Sequence, residues 1–238
     1  MRNLLLLAFI VLPCGLVAQQ NFFNVPSSEI TECNKVFLQQ QFNLYSGSCV
    51  SNTTFCYGLG HESELGVNLF GVTYDYVDHR FIASPADEQP VFPSLGFNAQ
   101  RQFTVAGWYE VSLGGQLLLP RQLQRYECYA YLNNRLHADR LKVILGLFAG
   151  NDNYFDSESR FNAHNRSVGV QGGFEYEVLR DRFYLQSDYI TGQTALSNLI
   201  VGGAYKVTPT TIVSAGYQIP NNTRTSAPGV VVELTYVQ

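Results

Sequence analysis

Few places in this 238-residue chain combine side chains able to do chemistry. His61-Glu62-Ser63 sets an imidazole two positions from a hydroxyl, and a serine nucleophile needs such a base within hydrogen-bond reach. A second cluster, residues 161–167, gathers Asn162, His164, Asn165 and Ser167 in a polar stretch. A third, Asn151-Asp152-Asn153 followed by Asp156 and Glu158, supplies the hard oxygens that calcium takes. It lacks the glycine and the twelve-residue spacing of an EF-hand loop. Asp152, Asp156 and Glu158 are therefore a weak metal candidate, and the expectation is neither metal nor cofactor. Beyond Cys14, four cysteines remain (Cys33, Cys49, Cys56 and Cys128), with no Cys-x-x-Cys pair to suggest zinc. They allow three disulfide pairings, among which the sequence does not choose.

The elements that must position these residues follow from composition and period. Charged residues are only 14%, apolar residues 46%, and the net charge is −4, which excludes a disordered chain. With three lysines and an acidic balance, nucleic acid is not an expected partner. Arg2, the apolar run 4–12 and the small Ala18 read as an export signal over residues 1–18, cleaved in the mature protein. An exported chain meets an oxidising compartment, where disulfides are possible. After Ala18 no stretch approaches the roughly 20 apolar residues of a spanning helix.

From Lys35 onward the hydrophobic period is two. Twelve runs are expected as strands: 35–45, 51–59, 64–77, 93–103, 106–119, 125–136, 141–150, 166–178, 183–191, 198–206, 211–219 and 229–238. In the seventh, Leu141, Val143, Leu145, Leu147 and Ala149 share one face. In the eighth, Val168, Val170, Phe174, Tyr176 and Val178 do. The third changes parity midway, which points to a bulge near Gly71. Short turns at 59–63, 104–105, 137–140, 179–182 and 207–210 alternate with longer polar connections at 78–92, 151–165, 191–197 and 220–228. Residues 19–34 precede the first strand. They are expected either to enter the barrel as a plug, with Phe22 and Phe23 as apolar contacts, or to lie across its rim. Pro26, Ser27 and Ser28 argue against a strand there.

Period two does not say which face is inside. Three features turn the apolar face outward. The polar faces carry Gly, Gln, Asn and Ser and almost no lysine, which suits a crowded lumen better than a solvated surface. Aromatics gather on the apolar parity near strand ends: Tyr109, Tyr176, Phe183, Tyr205 and Tyr236 toward the short turns, Tyr126, Tyr189 and Tyr217 toward the long loops. Two such rows are what membrane interfaces favour. Finally, Arg125, Glu127 and Arg135 share a parity, and a basic residue facing mid-bilayer lipid costs roughly 2–4 kcal/mol. The inward set is then Glu110, Arg125, Glu127, Tyr129, Tyr131, Arg135, Lys142, Gln171, Glu175, Glu177, Asp188, Lys206 and Glu233.

The export signal, the twelve alternating strands, the loop asymmetry and the C-terminal GVVVELTYVQ resemble a Gram-negative outer-membrane β-barrel. Val230, Val232, Leu234 and Tyr236 are similar to the end signal that the outer-membrane assembly machinery reads. Gln238 departs from the terminal aromatic usual in that family. The resemblance covers about residues 35–238. It implies an all-β, transmembrane, antiparallel up-and-down barrel of about twelve strands in the outer membrane, with both termini periplasmic. Its partners would be membrane lipid and that machinery, with another outer-membrane protein approaching at outward glycines such as Gly115, Gly172 and Gly203. The expected function is a narrow passive channel for small polar solutes, its acidic lining favouring cations. The alternatives are a non-catalytic anchor or complex subunit and, third, a lipid hydrolase. His61-Glu62-Ser63 resembles the His-x-Ser pair of the barrel phospholipase, but it falls in a periplasmic turn, so no enzyme is expected.

Overall fold

The computed structural model describes residues 21–82, 94–119, 127–151, 168–194 and 196–238. Twelve long strands follow one another: β1 Val36–Leu44, β2 Ser48–Gly60, β3 Ser63–Asp75, β4 Ser94–Ala106, β5 Tyr109–Leu119, β6 Glu127–Ala138, β7 Leu141–Gly150, β8 Val168–Leu179, β9 Phe183–Ile190, β10 Asn198–Thr208, β11 Thr211–Pro220 and β12 Gly229–Val237. Each pairs antiparallel with the next, and β12 closes on β1 through Val230↔Leu44 to Val237↔Phe37. Closure leaves no strand edge unpaired, as a hydrocarbon surrounding demands.

The alternation read from the sequence is inside out relative to a water-soluble barrel. Leu145 is 61% exposed and Val168 67%, while Gln171, Ser214 and Glu233 are fully buried. The expected bulge is present: Gly71 has φ 78° and donates its N–H to Asn52 Oδ1 at 3.0 Å, where the β2–β3 register shifts.

Three details differ from expectation. The β4–β5 turn is at 107–108, not 104–105, because the outward series Phe103 and Val105 continues and Gly107 makes the turn. The connection 45–47 between β1 and β2 is as tight as the short turns opposite. The chain after β3 doubles back, so that Arg80–Ile82 pairs with Thr73 to Asp75 and lengthens that hairpin.

Residues 22–31 lie within the barrel, and 32–34 sit exposed at its short-turn rim. Asn21–Phe22 and Val25–Pro26 make a minimal hairpin, turned at Phe23, whose φ of 63° is rare for a bulky residue. From Pro26 the chain runs to the short-turn rim, where Cys33 bridges Gly58 and Asn34 N–H donates to the Gly58 carbonyl at 2.9 Å. A Cβ on Gly58 would overlap the Glu32 carbonyl, so only glycine lets the segment pass the wall there.

Candidate functional site: the lumen and the segment inside it

The N-terminal segment is held by hydrogen bonds from successive strands. Thr31 donates its N–H and hydroxyl to Glu64 on β3, at 2.7 and 2.9 Å. Gln100 on β4 donates to the Glu29 carbonyl at 3.0 Å. Ser112 on β5 donates to Ser28 Oγ at 2.8 Å, and Asn133 on β6 to the Pro26 carbonyl at 2.9 Å. At the hairpin tip, the N–H groups of Asn24 and Val25 both donate to Asp188 Oδ2 on β9, at 2.6 and 2.8 Å. Those to main-chain atoms satisfy a backbone that has no sheet partner between its own two-residue hairpin and the Cys33–Gly58 bridge.

Apolar contacts do the rest. Phe22 and Val25 pack with Tyr129, Tyr131, Ile144, Phe148 and Ile190. Phe23 packs with Ile200 and Val231. Gly216 makes room, since a Cβ there would stand 2.8 Å from the Phe23 ring. Full burial of a phenylalanine is worth about 1.5–3 kcal/mol, and both rings are buried.

Below the hairpin lies a charge cluster. Arg135 on β6 pairs with both Glu29 and Glu110. Lys142 on β7 pairs with Glu29 and Glu175, each at 3.0 Å. Gln186 donates to the other Glu175 oxygen at 2.7 Å. The lower lumen thus carries three carboxylates against two cations, each in at least one ion pair.

Between the hairpin and the long-loop rim is a cavity of about 410 Å³. Phe23, Asn24 and Pro26 form its floor. Its wall comes mostly from β1 to β5, and Asn and Gln supply eleven of the lining side chains. Near its rim, burial lifts the Tyr45 phenol above its ordinary pKa, and a hydrogen bond from Gln218 pulls it back.

Of the residues expected to point inward, Tyr129 and Tyr131 line this cavity. Their hydroxyls donate to Gln171 and Gln100. Glu110, Arg135, Lys142 and Glu175 meet in the lower cluster, and Asp188 holds the hairpin. Glu233 is buried beside β11, whereas Glu127 and Lys206 are half-buried toward the strand ends. Glu177 accepts the Asp181 N–H at 2.6 Å at the short-turn rim. None of the described charged residues expected in the lining borders the cavity; Glu110, Arg135, Lys142, Glu175 and Asp188 are spent on one another and on the segment. The cation-favouring acidic ring is therefore replaced by an amide wall.

Tyr176, Tyr205, Tyr236, Tyr189 and Tyr217 are exposed on the outer face, and Phe183 and Tyr109 are half-buried. Tyr109 donates to Asn134 at 2.6 Å. Arg125, Tyr126, Asp152, Asp156, Glu158, the 161–167 cluster and the export signal lie outside the described residues. Cys33, Cys49, Cys56 and Cys128 form no disulfide.

Glu29 and Glu64, which hold the segment at its charged end, were not among the expected residues. Glu29 is on no long strand, so parity does not reach it. Glu64 shares a parity with Asn68 and was legible, as were the alternating amides Gln39, Gln41 and Asn43 of β1.

No family model matches the chain, and no curated protein matches it in sequence. Solved structures match in fold. The KdgM porin in complex with disordered oligogalacturonate aligns with a TM-score of 0.57 at 12% identity, over 84% of this chain and 98% of that one. The NanC porin aligns at 0.53 and 8% identity, over 85% and 98%. The COG4313 outer membrane channel from Pseudomonas putida F1 aligns at 0.53 and 13% identity, over 89% and 97%. The fold is thus the closed twelve-stranded barrel of outer-membrane channels.

Proposed function

We propose that the chain is an outer-membrane channel for small polar solutes, narrowed by its own residues 21–34. The observation that carries this reading is the amide-lined cavity, resting on a segment of the same chain inside a barrel with a greasy exterior. Lipid wraps the apolar face, and the short turns point to the periplasm of a Gram-negative bacterium. An export leader over residues 1–18 completes the route. The reading is of a non-catalytic protein. Ser63 Oγ donates to the His61 backbone carbonyl at 3.1 Å and not to an imidazole, so that turn lacks a triad's base-to-nucleophile bond.

A second reading is favoured by one feature, the filled lower lumen. A barrel sealed by its own segment suits an anchor or a subunit that docks another outer-membrane protein. Planar-bilayer recording of the purified full chain decides between the two. Discrete single-channel steps support the channel. Silence from both the full chain and a chain lacking 19–34 overturns it in favour of the anchor.

A further inference from the structure

Two residues that line the lumen's cavity each carry a buried polar atom with no hydrogen-bond partner among the described residues: Asn68 Oδ1, an acceptor, and Gln116 Nε2, a donor. Their side chains are neighbours. Asn68 on β3 lies opposite Gly96 on β4, Gln116 on β5 lies opposite Asn98, and both side chains reach within 3.4 Å of where a Cβ on Gly96 would stand. Asn98 sits between them and accepts the Asn68 amide N–H at 3.0 Å. Buried polar atoms are normally paired, so an adjacent orphan donor and orphan acceptor mark a place where something else supplies the match.

The chemistry of that something is constrained on three sides. A bound anion would require a cation, and among the described lining residues no lysine or arginine occurs. Arg135 and Lys142 lie lower, engaged by Glu29, Glu110 and Glu175. A bound cation would require carboxylates, and the one carboxylate in the lining, Glu64, takes the Thr31 N–H and hydroxyl. What remains is a neutral group that donates and accepts at one atom, as water and the hydroxyl of a solute both do. Beside the amides stand the rings of Tyr129 and Tyr131, 5.7 Å apart between centroids, their own hydroxyls fixed by Gln171 and Gln100. A cluster of amides next to fixed aromatic rings matches a molecule with many hydroxyls and C–H faces.

We infer that the cavity is a binding site for an uncharged, polyhydroxylated solute, a mono- or disaccharide, with Asn68, Asn98 and Gln116 reading its hydroxyls. A volume of about 410 Å³ is in the range of small-ligand pockets, roughly 300–1,000 Å³. This names the solute class of the proposed channel, but binding is measurable without conduction.

The test is calorimetric titration of the detergent-folded full chain with maltose, lactose and xylobiose, with digalacturonate as the acidic comparison. Saturable binding of at least one neutral disaccharide is expected, tighter than that of digalacturonate. Asn68→Leu and Gln116→Met should each weaken it at least tenfold, while the outward Leu145→Ala leaves it unchanged. Heat-modifiable gel migration confirms that each variant is folded. Gln116→Met keeps the side-chain length on a half-exposed position, so it serves if Asn68→Leu does not fold. The inference is overturned if no neutral sugar binds, if digalacturonate binds tighter, or if the folded variants bind like the parent. Binding without any conductance sinks the channel reading alone. Conductance without binding sinks this inference alone.

Discussion

The two walls of the lumen are built for different occupants. The inner face of β6 to β12 carries Ile144, Phe148, Ile190, Ile200 and Val231, and Phe22, Phe23 and Val25 of the hairpin cover them. The inner face of β1 to β5 carries amides and encloses empty volume. Apolar groups inside a barrel need a lasting partner, because leaving them wet forfeits about 25 cal/mol for each Å² of apolar surface. Amides need only hydrogen bonds, which water or a solute supplies and then withdraws. The contrast gives one wall to a resident segment and leaves the other to water or a solute.

Removing the resident breaks the contrast most directly. Deleting residues 19–34 should raise single-channel conductance several-fold, and unchanged conductance would show that the segment does not limit flow. Next in size is the charge cluster under the hairpin. Arg135→Met strands Glu110 and leaves Glu29 to Lys142 alone, and removing one partner of a buried pair costs about 3–5 kcal/mol; the midpoint of heat-modifiable unfolding in urea reads the loss. Outside the lumen, Leu145→Arg should cost about 2–4 kcal/mol against lipid, whereas Leu145→Ala should cost less. Equal effects would mean that this face does not meet hydrocarbon. A subtler probe leaves the segment intact and reshapes only its wall. Gly216→Val presses on Phe23, an overpacking worth about 1–3 kcal/mol, and should increase proteolysis after segment residues without unfolding the barrel. Smallest of all, Thr54→Val on the amide wall should alter stability by less than about 0.5 kcal/mol, as substitutions away from special features do. A larger loss would mean that this wall is packed as tightly as its opposite.

Much of the barrel is legible in the amino-acid sequence. Val168, Val170, Phe174 and Tyr176 have to share a face, since period two admits nothing else, and the scarcity of charge on the other face turns that face away from water. The Gly71 bulge follows from a parity change. The lumen is legible only as a set of inward residues. What meets what depends on neighbours distant in the chain: Arg135 and Lys142 with Glu29, Asp188 with the hairpin N–H groups, Asn68 with Asn98 on β4. The segment 19–34 has no period of its own, so its two expected courses are equal in the sequence.

Local alternation of greasy and polar side chains was therefore enough to specify the strands, because it repeats every two residues; the small and amide makeup of the polar faces, the aromatic rows and the shared parity of the charges then gave the side that meets lipid. The tertiary structure alone decided that the N-terminal stretch lies inside, that charges pair with one another beneath it, and that amides surround what space is left. Those outcomes rest on pairings between groups far apart in the chain, such as Asn24 and Asp188, 164 positions apart, and no local pattern encodes a contact at that separation.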